Sequence, residues 1–250
     1  MTSSSSTAMN PNSIVSDTFR LNAYRVLRIP VSASASDIQK AADRMRRAES
    51  GVYKTSEIDV PQLGDVSRRD ADVRAAVDRL AHPVQRLTDR LLWFCELPRP
   101  AGAQRVACDM DPAGHDTALR ALFDAMQGGL DESGLAAWVK ALRAWHAVMS
   151  DDDYWFLALM NEDQGGFEPA ASSQEVDAVR ANAVGIAAEP FILAAREAAL
   201  VPDDSDTARR LLMALSELRD TGPWVSAAMD DIATIAEMAG MTMNEISDAS

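Results

Sequence analysis

Cysteine is nearly absent from this 250-residue chain; Cys95 and Cys108 are the only two. Two cysteines cannot form a disulfide framework, and Cys95 lies in the apolar run Leu91-Leu92-Trp93-Phe94-Cys95, the setting of a small buried hydrophobe. The histidines number three, His82, His115 and His146, with no H-x-x-x-H or C-x-x-C pair, so no metal site is expected. No glycine-rich phosphate loop, G-x-S-x-G elbow or dinucleotide fingerprint occurs, and neither a cofactor nor a catalytic residue is expected. No uninterrupted apolar run approaches the ~20 residues that cross a bilayer, so no membrane association is expected. Met1 to Pro11 is rich in Ser, Thr and Asn and has neither a basic start nor an apolar stretch, so it reads as a disordered tail and not a secretory signal. A cytoplasmic location fits these absences.

Alanine, leucine, arginine and the acids dominate what is present, and that is helix-forming composition. The hydrophobic fraction of 47% is enough for a packed core. Charge is divided unevenly: residues 1–110 hold 16 Lys and Arg against 13 Asp and Glu, whereas residues 111–250 hold 8 against 25. So acidic a second half repels phosphates, which argues against nucleic acid as a partner and would favour a basic one there.

Apolar spacing predicts helices throughout and no strand. Phe19 to Leu27 reads as one short helix stopped before Pro30. Ser36 is the expected cap of the next, with Asp37 in its first turn and Ile38, Ala41, Ala42 and Met45 on the buried face. Residues 52–64 read as a loop with Pro61 and Gly64. Asp70 to Leu80 resumes the helical spacing, and Pro83 opens a further helix through Leu87, Leu91 and Phe94. A linker over 99–114, with Pro100, Gly102 and Pro112, marks a domain boundary.

Beyond it the pattern predicts helices over 115–126, 133–149, 154–161, 174–200, 206–219 and 223–238. Residues 162–173 read as a polar loop. Leu135, Trp138, Leu142 and Trp145 form one aromatic-rich stripe, and Asp151 to Asp153 supply an acidic first turn. Short turns between successive helices imply antiparallel neighbours. The expected architecture is therefore all-α: a tail (1–17), a first helical module (18–98), the linker, an acidic helical-hairpin domain of repeat-like character (115–240) and a frayed end (241–250).

The order of several pieces resembles DnaJ-type J domains. Tyr24 is followed three residues later by Leu27, then by a Ser/Ala connector and a helix opening Asp37-Ile38-x-Lys40-Ala41. The exit Leu80-Ala81-His82-Pro83-Val84-Gln85-Arg86 is similar to the Leu-x-Asp-Pro-x-x-Arg that follows the third J helix. The resemblance implies a J-like fold for about a third of the chain, with a basic second helix that docks an acidic chaperone surface. J domains trigger ATP hydrolysis by a DnaK-type chaperone through a His-Pro-Asp tripeptide between helices two and three. Here residues 52–69 contain no histidine, and His82-Pro83 falls later and precedes Val84. The remainder, with Leu91 to Phe94, His115, Trp138, Trp145 and Tyr154-Trp155, resembles bacterial proteins in which a J-like start precedes a tetratricopeptide-like helical region.

Three functions follow as expectations. The leading one is a non-catalytic adaptor or co-chaperone-like protein that binds a protein partner, a DnaK-type chaperone or a client. Its candidate docking residues are Lys40, Arg44 and Arg47 on one helix face and Trp138 and Trp145 in the stripe. A solvated face and a packed core are the plain readings of these two groups. The alternatives are an enzyme whose site gathers scattered acids around His115, and a structural subunit of a larger complex.

Overall fold

The computed structural model describes residues 17–47, 60, 63–64, 66, 68–95, 114–200 and 205–238. Among these the chain is all-α, without a strand. Residues 1–16 of the tail expected over 1–17, the Cys108-containing linker before Gly114 and the end beyond Met238 lie outside the described residues, and Asp17, the last residue of that tail, opens a helix.

The first predicted helix is two. α1 (Asp17–Arg20) and α2 (Ala23–Leu27) are separated by Leu21 and Asn22. The Asn22 side chain causes the break. Its Oδ1 accepts the N–H groups of Tyr24 (3.0 Å) and Arg25 (3.4 Å), satisfying donors that a continuous helix would pair internally. Its Nδ2 donates to the Asp89 carbonyl at 2.6 Å, fixing the break against α5. Arg28, left-handed at φ 55°, closes α2.

α3 (Ala35–Arg47) is capped by Ser34, two residues before the Ser36 expected for that role. The Ser34 hydroxyl accepts from the Asp37 N–H (3.2 Å), and the Asp37 carboxylate accepts from the Ser34 hydroxyl (2.7 Å) and N–H (3.3 Å). This reciprocal box satisfies the helix start, and Ser36 is left within the first turn. α4 (Asp70–Ala81) packs on α2 and α3. Arg46, near the end of α3, lies 3.8 Å from Asp70 at the start of α4, so the two form a hairpin. Pro83 opens α5 (Pro83–Leu91) at its first position, as predicted.

In the second half, α6 (His115–Gln127) packs on α7 (Glu132–Met149) through a tight turn. A Cβ on Gly134 would fall 1.9 Å from the Gly129 carbonyl oxygen, so only glycine lets that turn close on the helix. α8 (Asp152–Gln164) starts on an Asp151 cap and runs three residues past its expected end, which makes Glu162 helical. α9 (Ser173–Ala199) continues through Pro190, and α10 (Ser205–Ser216), a 3₁₀ turn (Arg219–Thr221) and α11 (Trp224–Met238) follow.

α9 is the central helix, in contact with α5, α6, α7, α8, α10 and α11. An 18-residue window of it has mean hydropathy 1.3, long and apolar enough by composition to cross a membrane although charged residues interrupt it. Its packing accounts for that apolarity: Ala183, Ala187, Ala188, Phe191, Ala194 and Ala195 are fully buried or nearly so. One continuous core extends from Phe19 to Ile232. Phe123 of α6 meets Phe19 edge-on at 5.8 Å and Phe94 at 5.7 Å, so the segments on either side of the linker share apolar interior.

Candidate functional site

α3 divides its residues as its sequence demands. Ile38, Ala41 and Ala42 are buried, and Lys40, Arg44 and Arg47 are exposed at i, i+4 and i+7. With Asp37 and Asp43 the three cations line a shallow hollow along the helix. Lys40 Nζ is 3.5 Å from the Asp37 carboxylate, whereas Arg44 and Arg47 have no ion-pair partner among the described residues. The Asp37 carboxyl is held below its ordinary range, chiefly by hydrogen bonds from the Ser34 hydroxyl and N–H, with Lys40 contributing.

Trp138 and Trp145 are placed otherwise than a docking role requires. Both are completely buried. Trp145 donates its indole N–H to the Ala183 carbonyl at 3.3 Å, and Trp138 packs on Phe191 with ring centroids 5.4 Å apart. The stripe faces α9, so these two tryptophans are withdrawn as docking residues: ring surface sealed inside the protein cannot receive a partner.

Most of the polar chemistry of the fold lies inside it. Arg86 of α5 donates from Nε and Nη2 to the Glu162 carboxylate and from Nη1 to the Leu80 carbonyl (2.7 Å). It also stacks on the Phe167 ring at 4.1 Å. Arg90, one turn later, approaches the other Glu162 oxygen at 2.8 Å. All three side chains are at most 2% exposed. Asp89, also buried, pairs with Arg79 at 2.7 and 2.9 Å; burial pushes its carboxyl up, and the guanidinium opposes that shift.

Next to this network Cys95, His115 and Asp116 meet. Gly114 adopts φ 117°, a conformation that glycine supplies without strain, and it delivers His115 and Asp116 to the start of α6, both buried. His115 Nδ1 lies 3.1 Å from Asp116 Oδ1 and 3.6 Å from Cys95 Sγ, and Nε2 lies 2.9 Å from the Leu91 carbonyl. The Cys95 N–H donates to the same Asp116 oxygen at 2.8 Å. Tyr154 stacks on the imidazole at 5.2 Å, and the Trp145 ring lies tilted against it at 5.3 Å. Burial holds the Tyr154 phenol well above its ordinary range; Cys95 and Asp116 act in the same sense and Arg90 opposes them.

A cysteine nucleophile with a histidine base oriented by a carboxylate needs thiol and carboxylate on opposite ring nitrogens. Here both sit on Nδ1, Nε2 is committed to a backbone carbonyl, and all three side chains are buried. The arrangement is therefore not that of a catalytic triad. Its three ligand atoms lie within 4.8 Å of one another, which a metal ion could bridge.

The chain matches no protein-family model, no curated protein and no solved structure.

Spacing missed the buried groups for identifiable reasons. Arg86, Asp89 and Arg90 share α5 with Leu87 and Leu91, and a reading that assigns charges to solvent passes over them. Glu162 fell in the expected loop. The i, i+4 relation of Arg86 and Arg90 was the one available signal, because it puts two cations on the same side of the helix that carries Leu87 and Leu91.

Proposed function

We propose that this protein is a non-catalytic adaptor whose α3 face binds an acidic surface on a protein partner. One observation carries the reading: Lys40, Arg44 and Arg47 stand exposed in a row on a helix anchored by its opposite face, with the two arginines free of ion pairs among the described residues. Exposed cations of this kind contribute little to folding and are available for intermolecular pairing. Cys95, His115 and Asp116, by contrast, are enclosed in the core.

The J-like reading names the partner class. A basic second helix paired with a third is the surface by which J domains dock a DnaK-type chaperone, and α3 with α4 supports that comparison. Without the His-Pro-Asp trigger in residues 52–69, docking is uncoupled from ATP hydrolysis. In this reading the chain works in the cytoplasm and uses the module as a binding platform.

The test pairs the full-length chain with a Lys40→Glu/Arg44→Glu/Arg47→Glu variant against the DnaK-type chaperone of the same host. The wild type is expected to bind without raising the ATPase rate, with affinity falling steeply as salt rises, and the variant to lose binding. Installing His-Pro-Asp in the 52–69 segment is expected to create stimulation. Binding unchanged in the triple variant removes α3 as the docking face, and stimulation by the unaltered chain removes the silent trigger.

A further inference from the structure

We propose that Cys95, His115 and Asp116 form a buried binding site for a divalent metal ion of the zinc class, clipping the end of the first helical module to the start of α6. The argument begins with protons. Nε2 faces the Leu91 carbonyl at 2.9 Å and must carry the ring proton to meet it. In the neutral imidazole that leaves an unprotonated Nδ1, whose lone pair is directed at two further ligand atoms, Cys95 Sγ (3.6 Å) and Asp116 Oδ1 (3.1 Å). Once the thiol ionises, three electron-pair donors converge inside the protein, a set that one cation can bridge.

The dimensions suit a metal ion. Zinc bonds of about 2.0 Å to nitrogen or oxygen and about 2.3 Å to sulfur put tetrahedrally disposed ligand atoms about 3.2–3.6 Å apart. The observed separations from Nδ1, 3.1 and 3.6 Å, lie close to those edges, and all three ligand atoms fall within 4.8 Å of one another. The surroundings supply what a metal-bound histidine uses. Its other nitrogen is pinned by a backbone carbonyl, and Asp116 Oδ1 is oriented by the Cys95 N–H at 2.8 Å. Charge also balances, since a thiolate and a carboxylate neutralise a dication and leave no net charge buried among Tyr154, Trp145 and the Leu91 backbone. Thiolate, imidazole and carboxylate together select zinc-like ions over magnesium or calcium, which prefer all-oxygen ligand sets.

Topology gives the site its consequence. Cys95 is the last described residue before the linker and His115 the second after it, so one ion closes the whole intervening loop. An ion that binds only the folded chain stabilises it by its own binding free energy, because the unfolded chain does not hold the three ligands together.

The experiment uses the full-length chain. Metal content is measured after purification without an affinity tag, and the chelator-stripped protein is then titrated with Co²⁺. About one equivalent of bound metal is expected, with thiolate-to-cobalt charge-transfer absorption and the intense d–d bands of a tetrahedral centre. Zn²⁺ should displace the cobalt and raise Tm. Cys95→Ser should abolish the charge-transfer band, and Asp116→Asn should weaken binding at least about tenfold. If Cys95→Ser does not fold, as far-UV circular dichroism would reveal, the wild-type titration and Asp116→Asn decide alone. No charge-transfer band in the wild type overturns the site in favour of an imidazolium–carboxylate pair beside a thiol. A band that survives in folded Cys95→Ser overturns it equally.

Discussion

Arg86 and Glu162 are 76 positions apart in the chain and form a fully buried ion pair, with Arg86 Nη2 2.5 Å from Glu162 Oε2. The same carboxylate accepts the Ala171 N–H at 3.2 Å and is approached by Arg90. One anion thus serves two buried guanidinium groups and the end of the connection to α9. Removing it strands two cations in the core, and the loss of one member of a buried pair costs about 3–5 kcal/mol. Glu162→Ala is expected to lower unfolding free energy by that amount in a urea titration. A loss below about 1 kcal/mol would show that the carboxylate is dispensable to the network.

Asn22 splits the first predicted helix and joins it to α5. Asn22→Ala forfeits the cap of α2 and leaves the Asp89 carbonyl without this donor. The expected cost is about 1–2 kcal/mol, measured as a fall in the urea midpoint at unchanged slope.

Trp145 and the α3 cations separate stability from binding. Trp145→Ala empties a fully buried ring site and is expected to destabilise by about 3–5 kcal/mol. Arg44→Ala and Arg47→Ala should leave stability within about 0.5 kcal/mol and weaken only partner binding. Loss of binding in a Trp145 variant that is still folded at the assay temperature would contradict this division.

Acidification should expose the Ser34–Asp37 box. The folded-state pKa of Asp37 is depressed, so its contribution is complete above the unfolded value near about 4 and drains away as pH falls through the folded one. The Tm difference between wild type and Asp37→Asn is therefore expected to be widest at neutral pH and to close as pH falls through the depressed folded-state value. A difference independent of pH would mean that the carboxylate charge plays no part in capping α3.

Much of the secondary structure was legible because it is local. Ile38, Ala41 and Ala42, the Pro83 start and the Leu135–Trp145 stripe each declare a buried face within a few turns, and all of them are buried or placed accordingly. The exposed cations of α3 are the complement of the same periodicity. Competing local hydrogen bonds blurred the boundaries: Asn22 and Ser34 are caps that spacing alone does not rank above their neighbours.

The candidate metal cluster and the Arg86–Glu162–Arg90 network follow a different logic. Their members come from α5, α6, α8 and the turn after α5, and beyond the i, i+4 spacing of Arg86 and Arg90 and the adjacency of His115 and Asp116 no sequence interval relates them. A charged residue in an apolar helix reads as solvent-facing until its partner is known, and that partner is a long-range contact. By itself the sequence determined the all-α character, the apolar stripes and the basic face of α3, because helical period is written into each segment. Only the tertiary structure decided which charges went inside, since burying an arginine, a glutamate or a histidine is affordable only where distant residues arrive to satisfy it.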